Sequence, residues 1–154
     1  MHDFERIENS ALTALSPLKA MGVKTLGPYA GELDDSGTGR DAGVLMDLSW
    51  QFPCVYVAAG GLVSGTENKT ETIETTLVLI VGAKNIRGGD KAARGDGGSP
   101  GVYAILEQAK TILHRQRIIP GFLPLILQRE YPVLYQPAKG VCVFMAVYGT
   151  RCVR

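Results

Sequence analysis

Apolar residues recur at three- and four-residue intervals in two stretches of this chain. In the first, Phe4, Ile7, Ala11, Leu12, Leu15 and Leu18 fall on one helical face, with Pro17 near the end and Gly22 as the stop. In the second, Val102, Ile105, Leu106, Ala109, Ile112 and Leu113 do the same, and Ser99 and Pro100 suit the cap and the first helical position. Lys110, His114, Arg115 and Arg117 follow near its end, where positive charge complements the helix dipole. Between and after these helices the period shortens. Residues 23–29 and 54–59 read as short strands, and residues 70–83, rich in threonine and aliphatics, read as a longer one. The turn-rich segment 60–69 separates the last two and predicts a long hairpin. Its distal half alternates polar and apolar, so the tip is expected to project into solvent above a buried base. Two further extended runs, 122–131 and 141–152, are separated by Pro132, Pro137 and Gly140. Residues 44–52 are open between a short helix and an extended lead-in to Pro53.

Strands grouped in hairpins with two principal helices predict an α+β fold: a mixed or antiparallel sheet with both helices packed on one face. The 154 residues make one domain the economical reading, long enough to bury about 70% of the surface of the unfolded chain. Two polar, glycine-bearing segments, about 33–43 and 86–99, are expected to be flexible loops. The second is the more conspicuous, because Gly88, Gly89, Gly95, Gly97, Gly98 and Gly101 precede a well-marked helix.

Charge adds little to this picture. Sixteen basic and fifteen acidic residues leave a net charge of +1, so the average field gives no reason to expect a nucleic acid or an anionic membrane as partner. The first residues are charged and lack the apolar core of a secretory signal, and the longest apolar runs fall well short of a spanning helix. The expectation is a chain that stays where it is made. Cys54, Cys142 and Cys152 lie in apolar, strand-like stretches without C-x-x-C spacing, and read as buried reduced thiols.

Candidate chemistry is sparse. The glycine segment has neither a G-x-x-x-x-G-K-[ST] pattern nor a G-x-G-x-x-G between strand and helix, which argues against phosphate binding. Lys84, Arg87, Lys91 and Arg94 give it a basic bias, offset by Asp90 and Asp96, with no aromatics interleaved to stack on bases. Arg94-Gly95-Asp96 and Asn68-Lys69-Thr70 spell an adhesion tripeptide and a glycosylation sequon, both irrelevant to a chain that is not exported. His2 and His114 have no partner at metal-ligand or triad spacing. Glu71 and Glu74 stand among threonines on the presumed hairpin, where a solvated face is the simpler account than acid-base work. No catalytic residue, metal or cofactor is expected, and contact is left as the work of the surface.

Three pieces of the chain carry a resemblance. Tyr29-Ala30-Gly31-Glu32-Leu33 follows the first helix, Phe52-Pro53-Cys54-Val55-Tyr56-Val57 enters the hairpin, and Gly101-Val102-Tyr103-Ala104-Ile105-Leu106 opens the second helix. In this order the chain resembles small tail proteins of Mu-like contractile-tailed phages and prophages, with the broader architecture of tail terminators. The resemblance implies a virion protein assembled in the bacterial cytoplasm and placed at the neck-proximal end of the tail. It implies a ring, expected to be a hexamer, that caps the tail tube and joins it to the head. Implied partners are further copies of the chain, the tube protein, and sheath and head-tail connector proteins, with DNA only passing through the lumen. The expected contacts are Thr66, Glu67, Lys69 and Glu71 at the hairpin tip, and Arg87, Lys91, Arg94 and Asp96 in the glycine segment. Residues 33–43 are a third candidate region. Alternatives are a head-tail adaptor ring, a ligand-binding or enzymatic domain with residues 88–101 as a lid, and an interaction module that never forms rings.

Overall fold

The computed structural model describes residues 2–29, 51–85, 88–95, 100–136 and 140–153. The chain is α+β, with one mixed five-stranded sheet. Its elements are α1 (Asp3–Ala14), a 3-10 turn (Ser16–Met21), β1 (Thr25–Pro28), β2 (Cys54–Glu67), β3 (Thr70–Lys84), α2 (Gly89–Arg94), α3 (Val102–Leu113), β4 (Ile126–Gln136) and β5 (Val141–Val153). The strand order is β1-β2-β3-β5-β4. The β1–β2 pair is parallel, from Thr25 opposite Cys54 to Pro28 opposite Val57. All other neighbours are antiparallel.

The first helix begins where His2 turns its Nδ1 to accept the Phe4 N–H at 3.1 Å, and Asp3 and Glu5 lie in the turn where the dipole favours negative charge. Its apolar stripe delivers Ile7, Ala11 and, just past its end, Leu15 to the core, while Phe4 in the first turn stays 37% exposed. Pro17 starts the 3-10 turn, and Gly22, at φ 111°, ends it in a conformation that side chains with a Cβ avoid. The second principal helix starts at Val102 with Gly101 as its cap residue, two positions later than the Ser99 and Pro100 signals suggested. Ser99 itself lies outside the described residues.

Both principal helices cover one face of the sheet. Ile7, Leu15, Leu18, Ile105, Ala109 and Leu113 meet Val55, Val57, Leu77, Leu79, Val81, Ala146 and Tyr148 in one continuous core. At its margin the Tyr103 and Phe144 rings meet edge to face with centroids 5.6 Å apart. All three cysteines are buried, and none of them forms a disulfide. On the opposite face a smaller cluster, Cys54, Tyr56, Ile80, Val141 and Val143, is partly covered by Tyr29 and Phe52. Among the described residues, that cover ends halfway along the strands.

The hairpin departs from the expectation in two ways. The segment 60–69 is not a long connection: β2 continues to Glu67, and Asn68 and Lys69, both at positive φ, form a two-residue turn. Gly60 and Gly61 are absorbed as a bulge between Ala59 and Leu62, where the Thr75 hydroxyl donates to the Gly61 carbonyl at 2.6 Å. Nor does the hairpin stand free, since β5 accompanies β3 as far as Val153 opposite Thr72. Ile73 and Thr75 are accordingly buried.

Two more elements differ from the sequence reading. Part of the expected flexible segment 86–99 is a helix, because Ala92 and Ala93 face the core and Asp90 pairs with Arg94 at 2.9 Å across one turn. The strand expected at residues 122–131 begins at Ile126 and runs through Pro132 to Gln136, which an edge strand permits. Its register slips at Leu127/Arg129 and at Pro132/Leu134. The segment 33–43, and residues 86–87 and 96–99 of the second expected loop, lie outside the described residues.

The outer edge of β4 is engaged at its start. Arg115 N–H donates to the Leu125 carbonyl at 2.7 Å, Leu125 N–H donates to the Gln116 carbonyl at 3.0 Å, and Leu127 N–H donates to His114 Nδ1 at 3.0 Å. His114, which the spacing arguments left without a role, thus caps a strand edge. His114→Ala is expected to leave that N–H without its protein partner and to lower stability by about 1 kcal/mol in urea titrations. His114→Gln, which keeps an acceptor, should recover part of the loss.

Candidate assembly surface

The eight sequence-predicted contact residues do not form one site. Four lie together at the hairpin tip. Thr66 and Glu71 face each other across β2 and β3 and both are exposed, Glu67 is opposite Thr70, and Lys69 is exposed in the turn. Lys91 and Arg94 are exposed on α2, which packs by the other end of β3, about 45 Å of strand away. There Arg94 is engaged by Asp90 within its own helix. Arg87 and Asp96 lie outside the described residues. The basic residues and the tip therefore cannot be one contact made by one small partner surface.

The strand period also separates the carboxylates. Glu71 and Glu74 are three residues apart in β3, so their side chains leave opposite faces of the sheet. They cannot work as an acid-base pair. Among the described residues, no group of three or more His, Cys, Asp or Glu is placed to hold a metal ion, and no helix is long and apolar enough to cross a membrane.

What sequence reasoning missed is the face that the helices leave uncovered. Beyond the small cluster at its base, this face carries Val63, Thr72, Glu74, Thr76, Arg151 and Val153, with Ile126 and Gln128 at the β4 side. Val63 is 68% exposed, Val153 59% and Ile126 48%, the largest such values among the exposed large hydrophobic residues. Glu74 stands directly opposite Arg151 between them.

Two glycines shape the floor. A Cβ on Gly60 would run into the Thr76 side chain, and one on Gly149 into the Gln128 amide. Their absence lets Thr76 and Gln128 lie across the neighbouring strands, leaving a shallow depression of about 500 Å³. A second depression of about 710 Å³, sharing Val63, Glu74 and Arg151 with the first, extends it to the tip. Exposed aliphatics around one acid and one base are suited to protein contact, where apolar anchors supply burial and charges set orientation. Periodicity carried a signal for this face. Val63, Thr72, Glu74 and Thr76 share it by the period of two once the β2 bulge is allowed for, but the bulge hid the register.

The helix-covered face behind this surface has a different character. Tyr148 is wholly buried on the helix-covered face, and its hydroxyl has no hydrogen-bond partner among the described residues. Burial first, then the charges of Glu130 and Glu107, push its pKa well above the ordinary tyrosine value. This phenol is a core residue with no access to a substrate.

Comparison with known proteins bears on the class of surface this is. None of the curated proteins matches the chain. The family described as Bacteriophage Mu, Gp37 matches residues 4–150, from the first turn of α1 to near the end of β5. Because that match takes in both principal helices and every strand, the chain belongs to the bacteriophage Mu Gp37 family, a family of phage structural proteins.

Proposed function

We propose that the protein is a tail terminator: copies of the chain form a ring, a hexamer, that caps the tail tube of a contractile-tailed phage and joins it to the neck. The observation that carries this reading is the uncovered sheet face, with Val63, Ile126 and Val153 exposed around Glu74 and Arg151, in a member of a phage structural family. Its work is contact, and no catalytic group is assigned. One side of the ring matches the tube, and the other offers no further tube-like edge, so growth stops. The partners are then the tube protein on one side and connector and sheath proteins on the other. DNA passes through the lumen, and a chain of net charge +1 has no large excess of positive charge to hold it. Around a closed ring each modest interface reinforces the next, which makes assembly cooperative.

The test is native mass spectrometry and negative-stain imaging of the protein alone and mixed with its tube protein. Six-fold rings on tube ends, with tube length fixed by their addition, are the expected result. A protein that stays monomeric and leaves tube growth unchanged would sink the reading. Val63→Asp combined with Val153→Asp should weaken the capping of tubes at least tenfold while leaving the circular dichroism melt nearly unchanged, since both side chains are mostly exposed.

A further inference from the structure

The two edges of the sheet are treated differently by this chain. On β4, the turn after α3 supplies partners to Leu125 and Leu127, and Pro132 with two register slips blunts the rest. On β2, β1 covers Cys54 to Val57, the Tyr29 N–H continues that pairing to the Val57 carbonyl at 2.8 Å, and Glu8 Oε1 accepts the Ala59 N–H at 3.2 Å. Beyond the bulge the sequence is Leu62-Val63-Ser64-Gly65-Thr66, with no charged residue and no proline. Among the described residues no element lies along the outer side of these five. An uncharged, proline-free edge is what natural sheets avoid leaving bare.

Register says which groups point outward. The two-residue turn makes Glu67 and Thr70 the hydrogen-bonded pair that closes the hairpin, so Val63, Gly65 and Glu67 bond to β3. The backbone N–H and C=O of Leu62, Ser64 and Thr66 therefore face away from the sheet.

We infer that the β2 tip edge is a strand-pairing site for a second copy of this chain, the two tips lying antiparallel about a two-fold axis through Ser64. In that register the outward groups of Ser64 meet those of Ser64 of the second copy, and Leu62 meets Thr66. Val63, 68% exposed on the uncovered face, then lies opposite a glycine, the second copy's Gly65, so the bulkiest side chain of the segment faces the smallest. The pairing brings no like charges together, because the segment has none. Self-pairing thus satisfies backbone and side chains at once.

This inference does not rest on the terminator reading. A closed ring needs two different surfaces in contact, whereas this contact uses the same surface twice and can join free subunits or two rings.

Cross-linking tests the register directly. A hydrogen-bonded antiparallel pair holds its Cα atoms about 5.5 Å apart, within the range a disulfide spans. Ser64→Cys should form a covalent dimer under mild oxidation, whereas Thr66→Cys should not, because two-fold pairing sets Thr66 against Leu62. The native cysteines are buried and contribute little background. In sedimentation runs without tube protein, the wild type should show a concentration-dependent dimer. Ser64→Pro, which removes one outward N–H, should raise the dimer dissociation constant at least tenfold. Equal cross-linking at 64 and 66, no cross-linking at either, or a wild-type chain that stays monomeric at high concentration would each overturn the proposal. Because the cysteine arm does not depend on the proline variant, misfolding of the latter leaves the test intact. Rings that cap tubes but do not cross-link at 64 would overturn this contact and leave the terminator reading standing.

Discussion

Replacing Tyr148 with alanine should cost about 3–5 kcal/mol in stability, among the largest effects expected of any single side-chain truncation in this protein. The ring is fully buried where β5 meets the helices, opposite Leu77, and is the largest of the wholly buried side chains. Denaturant midpoints should fall sharply with an unchanged slope. Tyr148→Phe should behave in the opposite sense. The hydroxyl has no partner among the described residues, so removing it takes away a desolvation penalty and should leave stability equal or higher by about 1 kcal/mol. The same group gives a pH signature. Burial and the neighbouring carboxylates raise its folded pKa, so its proton is held in the folded state after the unfolded chain would release it. The contribution is fully present below about pH 10, the unfolded value, and is lost as the pH rises above it. Tyr148→Phe should flatten that alkaline loss, and a denaturation series from pH 8 to 11.5 measures it. An alkaline decline unchanged in the phenylalanine variant would contradict this account.

Gly101→Val is the second large effect. Gly101 caps α3 and is pressed against the end of α2: a Cβ there would meet the Gly95 nitrogen, the Ala93 carbonyl and the Arg94 backbone. These are backbone atoms, so no side chain can swing aside. The variant must part the two helices, and an expected cost of about 3 kcal/mol follows from overpacking at a buried site. Hydrogen exchange gives the sharper readout. The N–H groups of Ala92 and Gly95, which bond to Gly88 and Lys91, should lose protection before those of β3. Gly121→Ala is the control: its Cβ would meet open space, although its positive φ still carries a modest strain.

The helices were legible in the chain because their apolar faces are complete. Ile7, Ala11 and Leu15, and likewise Val102, Ile105, Ala109 and Leu113, are buried as their spacing requires. The sheet was legible in class but less so in extent. Gly60, Gly61 and Gly65 carry the composition of a turn, yet Gly65 pairs with Thr72 and a bulge takes up Gly60 and Gly61, so the strand runs on, a case where the tertiary partner overrides local preference. Pro132 gave a similarly misleading stop signal, since its missing N–H is tolerated at an edge. The glycines around residues 90–94 obscured a short helix whose reason to exist is burial of Ala92 and Ala93, which no local rule reveals.

The candidate surface was half legible. The tip residues Thr66, Glu67, Lys69 and Glu71 lie together at one end of β2 and β3, because a hairpin brings its own ends into register. The pairing of Glu74 with Arg151 was not visible, because the two are far apart in the chain and only the β3–β5 ladder sets them side by side. Nor could sequence separate the tip from Lys91 and Arg94, since nearness along the chain says little about which end of a long strand a segment occupies.

The engaged start of β4 has a consequence for the protein as a solute. A sheet open on both sides can add copies without limit, whereas one that is open on a single side can add only one. His114, Arg115 and Gln116 take up outer groups at Leu125 and Leu127, and Pro132 interrupts the strand beyond them, so β4 is a poorer edge for pairing between copies than the β2 tip. At high local concentration the chain is thereby biased against growing into fibres, and the small helix-end turn at the start of β4 acts as a safeguard against its own sheet.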